Sequence, residues 1–220
     1  MVAAFLLYRE LQIAPSDQSV SNSTYRKYQN TQANITFTYP ISLGAAREEL
    51  LEPENNNLVS SGKALKITFS ATNDVWLIAA TQDFSMFKEN AYVGDGRITT
   101  SSCLRPGIVD DDGNGCSVRT IRGNDVLVRA EYFADEGVYN LLRTFSLDLS
   151  AGLYHGLKII QGFSSVYDAV NASATDTERE KLLQQYAQEL LSGISPTQEL
   201  SMQLQNVDRI VRSVSFDKQE

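Results

Sequence analysis

Short runs of alternating apolar and polar residues, joined by brief turns, constrain this chain more than anything else in it. Ser117 to Ile121 and Asp125 to Phe133 flank Arg122, Gly123 and Asn124; Tyr139 to Leu149 follows, and Ala151-Gly152 leads into Tyr154 to Gly162. Parallel neighbours need a crossover of about a dozen residues or more, so strands joined this closely predict an antiparallel sheet. Upstream, Ile35, Phe37 and Tyr39 alternate with Thr36 and Thr38 and stop at Pro40; Leu65, Ile67 and Phe69 alternate with Lys66, Thr68 and Ser70. A turn is expected at Asn73-Asp74. The run after it, Val75 to Ala80, is apolar in both phases and predicts a central strand covered on both faces. Ala45 to Glu54, with Arg47, Glu48, Glu49, Glu52 and Glu54, reads as a short helix or a charged loop.

The periodicity then changes. Leu182, Leu183, Tyr186, Ala187, Leu190 and Leu191 recur at helical spacing. Thr175 and Glu178 stand three apart, as a capping box requires, and Gly193 is placed to end the helix. Ser195-Pro196 with Gln198 starts a second helix carrying Leu200, Leu204, Val207 and Val211. The fold class expected is α+β: an antiparallel sheet with a C-terminal helical pair packed on one face. An apolar fraction of 42% over 220 residues suffices for such a core.

The boundaries follow from composition. Residues 1–12 open with an apolar run, Met1 to Tyr8, far short of the roughly 20 residues that span a bilayer. No basic residue precedes it, as a signal peptide would need. It reads as the remnant of a membrane anchor or as a short amphipathic or core-docked segment. Residues 13–33, rich in Ser, Asn, Gln and Thr, read as a linker. A single domain is expected over residues 34–217, so a chain starting at Asn34 is expected to fold.

The two cysteines, Cys103 and Cys116, bracket an acidic, glycine-rich loop. With none left over, they predict a disulfide and therefore an oxidising, extracytoplasmic compartment. Within the loop, Asp110, Asp112, Asn114 and Gly115 match the first half of a calcium loop, where alternate oxygens turn inward. The twelfth position is Ile121, where a bidentate Glu belongs, so this is no EF-hand. A weak calcium site at Asp110, Asp112 and Asn114 stands beside the plainer reading of a solvated turn.

Other chemistry finds thin support. The single histidine, His155, is in phase with Leu157 and Ile159 on an expected strand, as a packed residue would be. Ser60 and Lys63 have Ser-x-x-Lys spacing but lack the companion motifs. Two cysteines and one histidine fall short of a zinc set. Glu131 and Asp148, on expected strands, are one example of a carboxylate pair for glycoside hydrolysis, and both alternate with apolar neighbours as solvent-facing strand positions do. A net charge of −8 disfavours nucleic acid and anionic membranes.

The opening Phe37-Thr38-Tyr39-Pro40, the antiparallel middle and a last helix running into Val211 to Phe216 resemble the PsbP/Mog1-type α+β domain of small anchored bacterial surface proteins and lipoproteins. The tryptophan that often follows the opening Tyr-Pro is missing, and the cysteine loop has no counterpart there. The resemblance implies binding to other proteins or assembly on larger complexes and carries over no catalytic residue. The expected function is a non-enzymatic, extracytoplasmic binding or interaction domain. Its ligand would be a protein or an envelope polymer, with membrane proximity through the N-terminus only. The alternatives are an envelope or secreted hydrolase using paired carboxylates and a structural subunit of a surface assembly.

Overall fold

The computed structural model describes residues 24–51, 63–81, 107–109, 114–135, 138–148, 154, 156–164, 170, 172, 175–192 and 198–215. Seven strands form one antiparallel sheet: β3 (Ala46–Leu51), β4 (Ala64–Phe69), β5 (Thr72–Ala80), β6 (Asn114–Ile121), β7 (Asn124–Asp135), β8 (Val138–Asp148) and β9 (Gly156–Gly162). Their spatial order is β3-β4-β5-β9-β8-β7-β6, so a first meander ends at β5 and a second returns to pair with it through β9. Arg122 and Gly123 join β6 to β7 with φ of 52° and 79°. Positive φ at both central residues makes a two-residue turn whose twist matches the flanking strands.

A second layer covers one face of this sheet. It consists of a hairpin, β1 (Tyr25–Asn30) paired with β2 (Ile35–Pro40), and the helices α1 (Asp176–Ser192) and α2 (Gln198–Ser213). Ile35, Phe37 and Tyr39 of β2 share one buried cluster with Leu77 of β5, Phe145 of β8 and Val207 of α2. Leu183, Ala187 and Leu190 of α1 form another with Ala130 of β7 and Leu141 of β8. The α+β class, with both C-terminal helices on one face, is therefore established. The capping box is present: Glu178 N–H donates to Thr175 Oγ1 at 3.3 Å, and Thr175 N–H donates to Glu178 Oε2 at 3.1 Å. These bonds satisfy amides that the first helical turn leaves without partners.

Three sequence expectations need correction. Ordered structure does not wait for Asn34. β1 lies inside the stretch read as a linker; Tyr28 and Ala33 are buried, and Arg209 of α2 stacks 3.6 Å from the Tyr25 ring centroid. Its sequence hid the strand because most of its residues are polar and Tyr28 gains its apolar contact from Phe37 of β2 and its hydrogen bond from Glu48 of β3. Ala45 to Glu54 holds the edge strand β3 rather than a helix, with Arg47 in register with Thr68, Glu48 with Ile67 and Glu49 with Lys66. Charge on an edge strand discourages pairing with other chains. The turn before the central strand falls at Ser70-Ala71, and Asn73 and Asp74 belong to β5.

Residues 1–23, Ser60 to Gly62, Cys103, Asp110, Asp112, His155 and Gly193 lie outside the described residues. Among the described residues, no helix is long and apolar enough to cross a membrane.

Candidate functional site

The arms of the acidic loop are described, and they form a clamped hairpin. Val109 bridges Gly115 in antiparallel fashion, and Gly107 N–H donates to Cys116 O at 2.7 Å. The side-chain amide of Gln188, on α1, grips the same arm twice. Its Oε1 accepts from Val109 N–H at 2.9 Å, and its Nε2 donates to Gly107 O. One carboxamide thus does what a neighbouring strand would do, satisfying a donor and an acceptor on one chain segment. Val109 is buried against α1, which adds an apolar contact to the polar clamp.

Gly115 has a different role from the one its spacing suggested. It lies within β6, opposite Ala130, with no positive φ. A Cβ there would stand 2.4 Å from Leu191 Cδ1, 2.8 Å from Ile108 O and 2.9 Å from Val109 Cγ2. The glycine serves close approach of loop arm and helix, not a sharp turn. Asn114 likewise starts the ladder, paired with Glu131, so the chain leaves the loop as a strand and does not wrap as a calcium loop does. Ile121, the failed twelfth position, is at the far end of β6 beside the Arg122-Gly123 turn.

Cys116 is half-buried on the sheet face opposite the helices, packed against the cluster of Leu127 and Ile160. It carries no free thiol. Among the described residues, no group of three or more His, Cys, Asp or Glu side chains is gathered as a metal set.

The carboxylates named for hydrolysis are far apart. Glu131 is opposite Leu142 on β8, and Asp148 is six residues further along that strand, a backbone separation of about 20 Å at strand rise. Glycoside hydrolysis needs carboxyl groups roughly 5–10 Å apart. This pair is set aside.

Sequence reasoning missed the buried charges. Arg143, on β8, is 0% exposed beneath the helices. Its Nη2 reaches Asp208 Oδ1 at 3.1 Å, Gln161 Oε1 at 2.8 Å and Leu204 O at 3.3 Å, and its guanidinium stacks 4.7 Å from the Phe145 centroid. Burial pushes its pKa down to about 10, with Arg119 adding repulsion and Asp208 opposing the shift. A buried ion pair of this kind stabilises little by itself, but removing one partner strands the other. Through Asp208 Oδ1 and Leu204 O, Arg143 ties α2 to β8. The signal was available: β8 and β9 are interior strands covered on both faces, so any polar residue in them is forced inside.

No family model, no curated protein and no solved structure matches this chain.

Proposed function

We propose that this chain is a non-enzymatic, extracytoplasmic binding domain, held near a membrane by its N-terminal segment, that presents the Cys103–Cys116 loop to a protein or an envelope-polymer ligand. The observation that carries the reading is the double grip of Gln188 on Gly107 and Val109. A loop held at its base by a helix side chain and a strand ladder loses little conformational entropy on binding, which favours recognition. The lack of a free thiol at Cys116 supports a disulfide to Cys103, the only other cysteine, and with it an oxidising compartment.

Calcium is the proposed ion of the loop, through Asp110, Asp112 and Asn114. Glu131, paired with Asn114 across β6 and β7, offers the acid that the twelfth position lacks. An affinity of roughly 0.1 to 1 mM is in keeping with extracellular calcium modules. The PsbP/Mog1-type plan is proposed as well. It is supported by the meeting of the two segments that carry the resemblance: Ser215 bridges Thr36, and Ser213 Oγ accepts from Thr38 N–H at 2.8 Å.

The test is a thermal melt of the full chain in calcium and in chelator, repeated with Asp112→Ala. Calcium at about 100 times its dissociation constant raises stability by about 2.7 kcal/mol if it binds only the folded state. A calcium-dependent rise lost in Asp112→Ala supports the ion. Identical melts in both buffers return the loop to a solvated turn and leave recognition to its polar surface alone.

A further inference from the structure

The sheet face away from the helices carries polar groups at four adjoining register positions. Arg129 on β7 pairs with Thr144 on β8, and Ser146 on β8 pairs with Lys158 on β9. Strand alternation places all four on one face, because Arg143 and Phe145 between them turn to the helices. Thr144, Ser146 and Lys158 are 5%, 1% and 3% exposed. Thr144 Oγ1, Ser146 Oγ and Arg129 Nε are buried with no hydrogen-bond partner. Three orphaned polar atoms side by side are costly, since each buried unpaired group loses its hydration without replacement.

Their chemistry has one sign. Two hydroxyls and a guanidinium N–H are available to donate. Lys158, engaged in a contact of its own, adds a second cation. The acid paired with them among the described residues is Glu131, which meets Arg129 at Nη1, 3.8 Å away, and leaves Nε untouched. The surroundings are apolar: Leu127, Ile160 and Ile78 are the neighbouring buried residues on this face. In such a low-dielectric setting, charge-assisted hydrogen bonds to an anion are strong. All this occurs in a protein of net charge −8, so the local reversal is not a property of the whole surface.

We propose that Arg129, Thr144, Ser146 and Lys158 form a binding site for a small ligand bearing an oxyanion group, phosphate or carboxylate. Arg129 and Lys158 stand diagonally on either side of the two hydroxyls, about 12 Å apart by strand spacing and rise. Arg129 and Glu131, about a fifth exposed, mark the side from which the ligand enters. The site adjoins the arm of the acidic loop, since Arg129 is in register with Cys116 and pairs with Glu131, so binding is measured in chelator, where the loop holds no calcium.

The experiment is equilibrium dialysis of the full chain against labelled inorganic phosphate at constant ionic strength, with acetate as competitor. Saturable binding near one phosphate per chain is expected. Ser146→Ala and Thr144→Val should each weaken it about tenfold, the usual loss for a hydrogen bond to a charged group. Arg129→Gln, at a position about a fifth exposed, tests the charge without emptying the core. Ser117→Ala, which removes a buried orphan hydroxyl on the opposite face, should leave binding unchanged. Competition by acetate assigns the site to carboxylates as well, and its failure assigns it to phosphoryl groups. No saturable binding of either anion up to about 50 mM, weaker than any specific site worth the name, overturns the proposal. So does binding that survives both Arg129→Gln and Ser146→Ala.

Discussion

Tyr28→Ala tests whether β1 belongs to the fold or merely lies against it. Tyr28 is 7% exposed, its ring stacks on Phe37 at 4.6 Å with planes 23° apart, and its hydroxyl donates to Glu48 Oε1 at 2.7 Å. Truncating a buried aromatic side chain to alanine costs about 3–5 kcal/mol, including the cavity left behind. Glu48 is exposed and recovers its lost bond from water, so the hydrogen bond adds at most about 1 kcal/mol. The expected loss is about 4 kcal/mol. In a chain of this size each kcal/mol lowers the melting temperature by roughly 2–4 °C, which gives a fall of roughly 8–16 °C. Differential scanning calorimetry of wild type, Tyr28→Ala and Tyr28→Phe resolves the parts, with the phenylalanine variant losing only the hydroxyl's share. Deleting residues 1–33 removes Tyr28, Ala33 and the whole β1 ladder, and should destabilise more than the point variant does. A Tyr28→Ala fall of less than about 2 °C refutes the packing argument and makes β1 peripheral.

Further outcomes follow from the same contacts. Burial, reinforced by Glu48, holds the Tyr28 phenol well above its usual pKa, so the stability it contributes is complete below about pH 10 and drains as pH rises beyond. Wild type should therefore lose stability relative to Tyr28→Phe between about pH 9 and pH 11, by no more than about 1.4 kcal/mol per pH unit, measured by urea titration across that range. Arg143→Ala leaves Asp208 without its ion pair and Gln161 Oε1 without its donors, and should cost about 3–5 kcal/mol. Arg143→Met keeps the volume without the charge and should cost clearly less, both by denaturant unfolding. Gln188→Ala releases both hydrogen bonds on the loop arm; amide exchange at Val109 should speed up while exchange in β8 stays slow.

The antiparallel core was legible because its signals are local. Leu65, Ile67 and Phe69 alternate, Arg122-Gly123 makes a tight turn, and Thr175 and Glu178 cap a helix within three residues of each other. What the sequence hid depends on partners distant along the chain. β1 earns its burial from Phe37 and from Glu48, twenty residues on, and β3 is a strand because β4 pairs with it, despite its glutamates. The loop was visible as Asp110, Asp112 and Asn114, but its clamp was not, since Gln188 is about eighty positions away and looks like any helix surface residue. Thr144, Ser146 and Lys158 escaped for a related reason: alternation with apolar residues usually means a solvent face, and here that face is buried.

Peptide mapping of the non-reduced protein, purified from an oxidising compartment, decides whether the loop is closed. One linked peptide pair joining Cys103 to Cys116 is expected, closing a loop of about 14 residues and restricting the unfolded chain by roughly 3 kcal/mol. Two free thiols in that preparation would contradict the braced loop and remove the argument for a domain working outside the cytoplasm.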